Sequence, residues 1–196
     1  MSYTIAGLGN PGEEYINTRH NTGRVVLDYF RKKNDFPNWE ENKKYGALIS
    51  KGKIRNQKVL LALPNNFMNN SGKSIASIVT SAKKAEKLVV VYDDIDLPLG
   101  SIKISFNRGS GGHRGVESII KKLKTKKFIR LRIGVAPTTP SGKIKKPKGE
   151  QKVIDFLMGE FRPKERDVLK KISKQAAEAL SMIVHDGKEK AMGEYN

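Results

Sequence analysis

The chain contains no cysteine, one tryptophan and three histidines among its 196 residues. Without cysteine it has no disulfide, no thiol nucleophile and no cysteine-based zinc site. No apolar run reaches the ~20 residues that a membrane-spanning helix requires, which predicts no association with a membrane. The first residues enter a strand pattern with no leader-like segment before it. Together these absences predict a cytoplasmic protein.

Acidic residues are scarce relative to basic ones. The chain has 20 Asp and Glu against 38 Lys and Arg, which gives a net charge of +18. A surplus of this size indicates a polyanionic partner such as a nucleic acid. General basicity of the source proteome is the alternative explanation. The length predicts one domain with a sizeable core over residues 1–196.

Apolar residues alternate or run together in six short segments, and this pattern predicts strands. The segments are 2–7, 45–51, 57–63, 87–93, 101–106 and 128–135. Helical spacing of apolar residues predicts helices at 21–34, 71–83, 114–123 and 162–185. Strands that alternate with helices predict an α/β fold with helices on both faces of the sheet. Residues 138–152 are predicted to form a mobile basic loop, either a rim over a site or an ordinary solvated loop.

A glycine-rich turn, Gly7–Gly12, follows the first strand, and His20 comes next with Arg19 and Asn21 beside it. Histidine exchanges protons near neutral pH, and glycine lets the backbone approach a ligand closely. His20 is therefore a candidate general base, with a structural histidine as the alternative. Gly7–Gly12 also fits a dinucleotide fingerprint. However, Asn10-Pro11-Gly12 is turn chemistry, and no acid ends a second strand about 20 residues later.

Three carboxylates, Asp93, Asp94 and Asp96, follow the most apolar strand. Ligands of open α/β folds bind outside the carboxyl ends of the strands. Asp93 could accept a hydrogen bond from His20, fix the tautomer of the imidazole and raise its basicity. A turn cap or a magnesium site would use the same residue types.

Two further segments have patterns that suit ligand binding. In Pro64–Gly72, Phe67 and Met68 stand beside asparagines, which favours stacking on a base and hydrogen bonding to it. Capping of the next helix by the asparagines or by Ser71 explains the same pattern. Gly109–Gly115 offers backbone N–H groups to a phosphate or an oxyanion, or forms a flexible turn before a helix.

Together these segments resemble the bacterial-type peptidyl-tRNA hydrolases. The shared motifs are Gly7–Gly12, Tyr15, Thr18–Gly23, Pro64–Gly72, Asp93–Gly100, Gly111–His113, Phe128–Gly134 and Val153–Phe161. The resemblance implies a hydrolase that cleaves the ester between a peptide and the 3′ ribose of tRNA, and so recycles tRNA from unfinished chains. It also implies one α/β domain with a twisted mixed β-sheet, monomeric and without a metal or a cofactor.

The resemblance also implies roles for individual residues. His20 matches the family's catalytic base, and Asp93 matches the acid that keeps this base basic. Asn10 matches the residue that distinguishes N-blocked from free aminoacyl-tRNA. Positions in contact with substrate or tRNA are matched by Tyr15, Phe67 and Asn69. His20, oriented by Asp93, is then expected to activate the water that attacks the ester.

One position departs from the family, because Arg114 stands where an asparagine usually follows the Gly-Gly-His segment. Arginine is longer, charged and only a donor, so it is expected to hold a phosphate or stabilise negative charge. Met68 and Lys103 complete the predicted binding residues, Lys103 in a basic track with Arg130 and Arg132 for acceptor-stem phosphates. The departure leaves a catalytically inactive RNA-binding relative as the alternative, whereas the missing ribose-binding acid disfavours a nucleotide-dependent oxidoreductase.

Overall fold

A computed structural model describes residues 2–196. Seven strands form one sheet in the order β2-β3-β4-β1-β5-β7-β6. The strands are β1 (Tyr3–Gly7), β2 (Glu40–Asn42), β3 (Ala47–Ile54), β4 (Gln57–Pro64), β5 (Leu88–Pro98), β6 (Ile102–Phe106) and β7 (Ile129–Ala136). The helices in this range are α1 (Thr22–Lys33), α2 (Ser71–Ile78), α3 (Ala82–Ala85), α4 (Arg114–Leu123), α5 (Glu150–Met158), α6 (Pro163–His185) and α7 (Lys188–Tyr195).

The sheet is mixed and lies between two layers of helices. Strands β4, β1, β5 and β7 are parallel, whereas β2, β3 and β6 add antiparallel pairs at the two sides. On one face Ile5 belongs to a buried cluster with Phe30 of α1 and Leu180 of α6. On the other face a second cluster includes Ile75 of α2 and Ile119 of α4. The predicted α/β fold, with a mixed sheet and helices on both faces, is confirmed.

Two predicted elements differ most from their predicted bounds. The helix predicted over 71–83 is divided into α2 and α3, because Ser81 has an extended backbone and its side chain caps α3. Strand β5 continues beyond 93 as far as Pro98, which pairs with Ala136 of β7 after an irregularity in register. This extension holds the acidic segment close to the neighbouring strand.

Three elements were not predicted, namely β2, α5 and α7. Strand β2 is a short run of polar, mostly exposed residues, so it carries no apolar alternation. Helix α5 has no fully buried residue and begins at Glu150, so the prediction of a loop over the whole of 138–152 was wrong for its last three residues. Gly187 lies between α6 and α7 and, with φ +95°, occupies the N-cap of α7.

The four parallel strands bring their carboxyl ends to the same edge of the sheet. Helix α1 approaches this edge closely through Gly23, where an added Cβ would lie 2.3 Å from the carbonyl oxygen of Val91. The same close approach brings the turn before α1 next to the end of β5. Between residues 2 and 196, no helix combines the length and the apolar character needed to cross a membrane.

Candidate active site

A cavity of about 680 Å³ opens at the carboxyl edge of the parallel strands. Its walls come from the turn after β1, the 3₁₀ turn Met68–Asn70 after β4, the end of β5, the loop before α4, and α5. This is the place where an open α/β sheet binds its ligands. Residues far apart in the chain therefore meet around one cavity.

His20 and Asp93 form the buried end of this cavity. His20 lies in the 3₁₀ turn Arg19–Asn21, and its Nδ1 lies 3.0 and 2.9 Å from the two carboxylate oxygens of Asp93. The Asp93 side chain is 1% exposed. Because an ionised carboxylate only accepts hydrogen bonds, Nδ1 donates and the lone pair of the neutral imidazole is on Nε2. The predicted pairing of His20 with Asp93 is present in the structure.

Burial and charge act in opposite directions on the pKa values of this pair. Burial lowers the pKa of His20, but the Asp93 carboxylate outweighs burial and raises the pKa above its ordinary value of 6.5. Burial raises the pKa of Asp93, but His20 and His113 together hold it well below its usual range. Asp93 therefore stays ionised when His20 changes its charge.

His113 also binds Asp93 and was not assigned a role from the sequence. Its Nε2 lies 3.1 Å from Oδ1 of Asp93, and its Nδ1 accepts the backbone N–H of Val116 at 3.3 Å, which caps α4. The cap therefore fixes the tautomer of His113, with the proton on Nε2. The sequence signal was a histidine between a glycine pair and a helix, but the partner across the cavity could not be read from it.

His20, Asp93 and His113 also bring three potential metal-ligand atoms within 4.8 Å of one another. A metal ion would need an unprotonated nitrogen on each histidine. Nε2 of His113 carries its proton toward Asp93, because Nδ1 already accepts the N–H of Val116. The donor set therefore fits a hydrogen-bonded triad better than a metal site.

The three neighbouring carboxylates have three different partners. Asp93 binds the histidines, whereas Oδ2 of Asp94 lies 2.7 Å from Nε of Arg132. Oδ1 of Asp94 accepts the backbone N–H of Asp96 at 2.8 Å, and Asp96 pairs with Lys146. The turn-cap alternative therefore holds for Asp94. A magnesium site that uses all three carboxylates is not favoured by this arrangement.

Asn10 is held in one orientation at the end of β1. Its Oδ1 accepts the backbone N–H of Met68 at 2.8 Å, and its backbone N–H and C=O bind the side chain of Asn21 at 2.8 and 2.9 Å. The acceptor half of the Asn10 amide is therefore in use. The NH₂ half remains as the donor that a ligand in the cavity can reach.

The segment after β4 presents an aromatic surface beside an amide. The Phe67 side chain is 57% exposed and meets Tyr15 edge to face, with ring centroids 6.3 Å apart. Asn69 is exposed and lines the cavity. The capping alternative is not realised by asparagine, because Asn70 occupies the N-cap of α2 without a side-chain hydrogen bond to it. Phe67 and Asn69 are therefore free to meet a ligand.

The remaining predicted binding residues lie in three different surroundings. Met68 lines the cavity but is 5% exposed, and its sulfur packs against Gly115, where an added Cβ would lie 2.5 Å from Sδ. Arg114 stands at the mouth of the cavity, with Nη2 2.5 Å from Oε1 of Glu150 on α5. Lys103 lies outside this cavity and lines a second one.

The second cavity, of about 450 Å³, has a basic wall next to β6 and β7. Its basic lining residues are Lys103, Arg108, Arg130 and Arg132. In the described part of the chain, Oγ of Ser105 and Nε of Arg130 are buried here without a hydrogen-bond partner. Asp94 and Asp96 also line this cavity, but the four basic residues outnumber them, which suits an anion.

Comparison with known proteins places this chain in a family. The family model described as peptidyl-tRNA hydrolase matches residues 4–196. The peptidyl-tRNA hydrolase of Herpetosiphon aurantiacus is 41% identical and aligns over 99% of this chain and 90% of the relative. That of Aquifex aeolicus is 39% identical over 96% of this chain and 93% of its own length.

Solved structures agree with the sequence comparison. The crystal structure of peptidyl-tRNA hydrolase from Acinetobacter baumannii matches with a TM-score of 0.88 and 28% identity, and covers 100% of this chain and 94% of that one. The family model, the relatives and the fold therefore all agree with the resemblance noted in the motifs. This chain belongs to the peptidyl-tRNA hydrolase family.

Proposed function

We propose that this chain hydrolyses the ester between a peptide and the 3′ ribose of tRNA, with His20 as the general base. The observation that carries the proposal is the hydrogen bond from Nδ1 of His20 to the buried Asp93 carboxylate. This bond leaves Nε2 as the basic nitrogen on the side of the 680 Å³ cavity. The raised pKa of His20 makes the imidazole a stronger base than a free histidine.

In the proposed reaction, Nε2 of His20 takes a proton from a water molecule as the water oxygen attacks the ester carbonyl. The tetrahedral intermediate then breaks its bond to the 3′ oxygen of the ribose. This oxygen receives the proton from the imidazolium, so that the histidine returns to its neutral form. Asp93 stays ionised throughout, because its pKa is held well below its usual range. No covalent bond between the enzyme and the substrate is needed.

Asn10 is the proposed donor to a substrate carbonyl. The Met68 N–H fixes the acceptor oxygen of its amide, so the NH₂ group is already oriented before substrate arrives. A donor that needs no reorientation stabilises developing negative charge efficiently. In the family this residue distinguishes N-blocked from free aminoacyl-tRNA, and we propose the same role for Asn10.

The exposed aromatic pair of Tyr15 and Phe67 is proposed to receive the 3′-terminal base of the tRNA. Flat, exposed aromatic faces bind unstacked bases of any sequence. Asn69, on the same turn as Phe67, adds hydrogen-bonding groups at the edge of the cavity. Met68 contributes through its backbone and its packing rather than through an exposed side chain.

The second cavity is proposed to bind phosphate of the acceptor stem. Lys103 is exposed there. Burial lowers the pKa of Arg132, but the hydrogen bond from Arg132 to Asp94 outweighs burial and raises this pKa, so Arg132 keeps its positive charge. Phosphate contacts give affinity without reading sequence, which suits an enzyme that accepts many tRNAs. The net charge of +18 agrees with such a partner.

We further propose that residues 1–196 act as one peptidyl-tRNA hydrolase domain, as a monomer and in the cytoplasm. Two buried clusters on a single sheet support one domain. The location follows from the substrate, because peptidyl-tRNA is produced by cytoplasmic ribosomes. The chemistry derived for His20, Asp93 and Asn10 uses protein groups alone.

The test compares N-acetylaminoacyl-tRNA with free aminoacyl-tRNA as substrates, with the His20→Ala protein alongside. We expect hydrolysis of the blocked substrate only, lost in the variant while tRNA binding remains. Tight, salt-sensitive tRNA binding without turnover would instead favour the catalytically inactive RNA-binding alternative. The intact His20–Asp93 pair argues against that alternative, since a binding protein has no use for a buried base.

A further inference from the structure

The two ends of helix α5 are held very differently. At the C-terminal end, the backbone N–H of Arg19 donates to the carbonyl of Gly159 at 3.1 Å, and Nη1 of Arg19 donates to the carbonyl of Phe156 at 3.3 Å. Arg19 is itself 7% exposed and pairs with Glu165 at 2.7 Å. This end of α5 is therefore anchored to the turn that carries His20.

The N-terminal end of α5 is held by an exposed ion pair. Glu150 pairs with Arg114 at 2.5 Å, and the two side chains are 78% and 59% exposed. The preceding residue, Gly149, has φ +94° and no atom within 4 Å of a Cβ placed on it. The backbone before α5 is therefore not packed against the rest of the chain at this point.

Between its two ends, α5 forms one wall of the active-site cavity, and its partly buried Phe156 and Leu157 contact the core. Four of its apolar residues, Val153, Ile154, Leu157 and Met158, line the cavity. None of the residues of α5 is fully buried. A helix that is anchored at one end and lightly packed can move without breaking the fold.

The strength of the Arg114–Glu150 pair decides what it can do. An ion pair this exposed shifts an equilibrium by no more than about fivefold. It adds little to the stability of the fold, and a competing anion can replace it. A phosphate is such an anion, because the planar guanidinium binds it through two parallel hydrogen bonds.

We propose that Arg114 binds a phosphate of the single-stranded 3′ end of tRNA. In the free protein Arg114 is paired with Glu150, and it exchanges Glu150 for the phosphate when the substrate arrives. The exchange releases the N-terminal end of α5 as the substrate enters the cavity. This inference rests on the proposed function, since it assumes a tRNA substrate. Arg114 and Glu150 both line the cavity, so a chain entering at its mouth meets this pair.

Opposite effects of two single substitutions test the exchange. Glu150→Gln frees Arg114, so KM for N-acetylaminoacyl-tRNA should fall by up to about fivefold. Arg114→Gln removes the phosphate contact, so KM should rise by about tenfold. In both variants kcat should stay close to that of the unmodified protein. A pair that only supports the structure would move KM in the same direction in both, and that result would overturn the proposal.

Glu178→Gln is the matched control. Glu178 pairs with Lys33 at 3.0 Å between α6 and α1, with side chains 46% and 36% exposed, and neither residue lines the cavity. It removes the same charge as Glu150→Gln but should leave KM unchanged. A fall in KM as large as that of Glu150→Gln would assign the effect to net charge and overturn the proposal.

Binding of deacylated tRNA identifies the phosphate. Arg114→Gln should weaken binding of full-length tRNA about tenfold but leave binding of tRNA lacking its three 3′-terminal nucleotides unchanged. Equal weakening of both RNAs would place the contact of Arg114 elsewhere on the tRNA and reject the exchange. The charge-swapped protein, Arg114→Glu with Glu150→Arg, restores the pair but should keep the high KM.

Hydrogen exchange separates this inference from the proposed function, because it requires no turnover. Amides of residues 150–158 should exchange faster in Glu150→Gln and on addition of full-length tRNA to the unmodified protein, with residues 159–165 unaffected. If the protein lacks hydrolase activity and the amides of α5 still respond in this way, the proposed function is wrong, but the transfer of Arg114 from Glu150 to a phosphate is still supported. If the amides of α5 exchange at the same rate in both experiments, Arg114 does not leave Glu150 for a phosphate, and the inference is rejected even if the enzyme is active.

Discussion

Two acid–base pairs face the same cavity and differ in burial. His20–Asp93 lies at its base, where the carboxylate is 1% exposed, whereas Arg114–Glu150 lies at its mouth, where the carboxylate is 78% exposed. In the first pair water cannot replace a lost partner, so each group fixes the charge and orientation of the other. In the second pair water or another anion replaces the partner at little cost. Burial therefore distinguishes the pair that we propose performs the chemistry from the pair that we propose controls access to the cavity.

The largest effect should come from a change that keeps the buried hydrogen bond but removes the base. In His20→Asn the side-chain amide can still donate to Asp93, but no basic nitrogen faces the cavity. We expect kcat to fall by about 10²–10⁴-fold, the usual contribution of a general base. Single-turnover kinetics with N-acetylaminoacyl-tRNA would measure it. Turnover close to that of the unmodified protein would show that another group activates the water.

Removal of the charge from the buried carboxylate should have the next largest effect. In Asp93→Asn the group that raises the pKa of His20 is lost while burial, which lowers this pKa, remains. A base works only in its neutral form, so the acid limb of kcat/KM should lie above pH 6.5 in the unmodified protein and move to lower pH in the variant. We also expect kcat to fall by about 10²-fold or more, because the tautomer is no longer fixed.

The matched control is Asp94→Asn, at the adjacent position. Asp94 pairs with Arg132 and makes no hydrogen bond to a histidine among residues 2–196. Its replacement should leave the acid limb where it is. An equal movement in both variants would attribute the shift to the general field of the acidic segment rather than to the buried pair.

We expect an effect of intermediate size on tRNA binding from the second cavity, where Arg132 is paired with Asp94 but remains partly exposed. Arg132 is 25% exposed and carries a fixed charge. Arg132→Gln should weaken tRNA binding about uniformly across tRNA species and lower the slope of log affinity against log salt by about one. Filter binding at several salt concentrations measures both. A loss confined to one tRNA species would indicate reading of sequence rather than of phosphate.

The smallest effect should be that of Arg114, in the exposed pair, on the pKa of His20, in the buried pair. The positive charge of Arg114 lowers the pKa of His20, against the raising effect of Asp93, with His113 as the third group facing Asp93. Arg114→Gln should therefore move the acid limb of kcat/KM to slightly higher pH. Salt should reduce the shift, because Arg114 is exposed. An acid limb that moves to lower pH would contradict this account of the site.

The buried pair could be predicted from the sequence, and the exposed pair could not. Asp93 follows the most apolar strand pattern and His20 follows the glycine-rich turn after the first strand, and parallel strands bring their carboxyl ends together. Glu150 lies in a segment dominated by lysine, proline and glycine, although the apolar residues that follow it, Val153, Ile154, Leu157 and Met158, have helical spacing. Gly149, at the N-cap of α5, makes no side-chain capping bond that would mark Glu150 as the start of a helix.

Partnerships that depend on a loop were also beyond the sequence. His113 was visible as a histidine before a helix, but its hydrogen bond to Asp93 depends on how the glycine loop folds across the cavity. The acidic segment shows the same limit. Turn cap and histidine partner were both reasonable for Asp93, and the irregular register of β5 gives the first role to Asp94 instead.

The bond that orients Asn10 has a consequence for variation among sequences. The group that fixes its amide is a backbone N–H, which every residue except proline supplies at position 68. The orientation of the Asn10 amide is therefore independent of which side chain stands at position 68. That side chain needs only to fit beside Gly115. Met68→Leu should then keep the selectivity for blocked substrates. The proposed recognition of the substrate carbonyl therefore tolerates different side chains at position 68, whereas Asn10 itself must supply both an acceptor to the chain and a donor to the cavity.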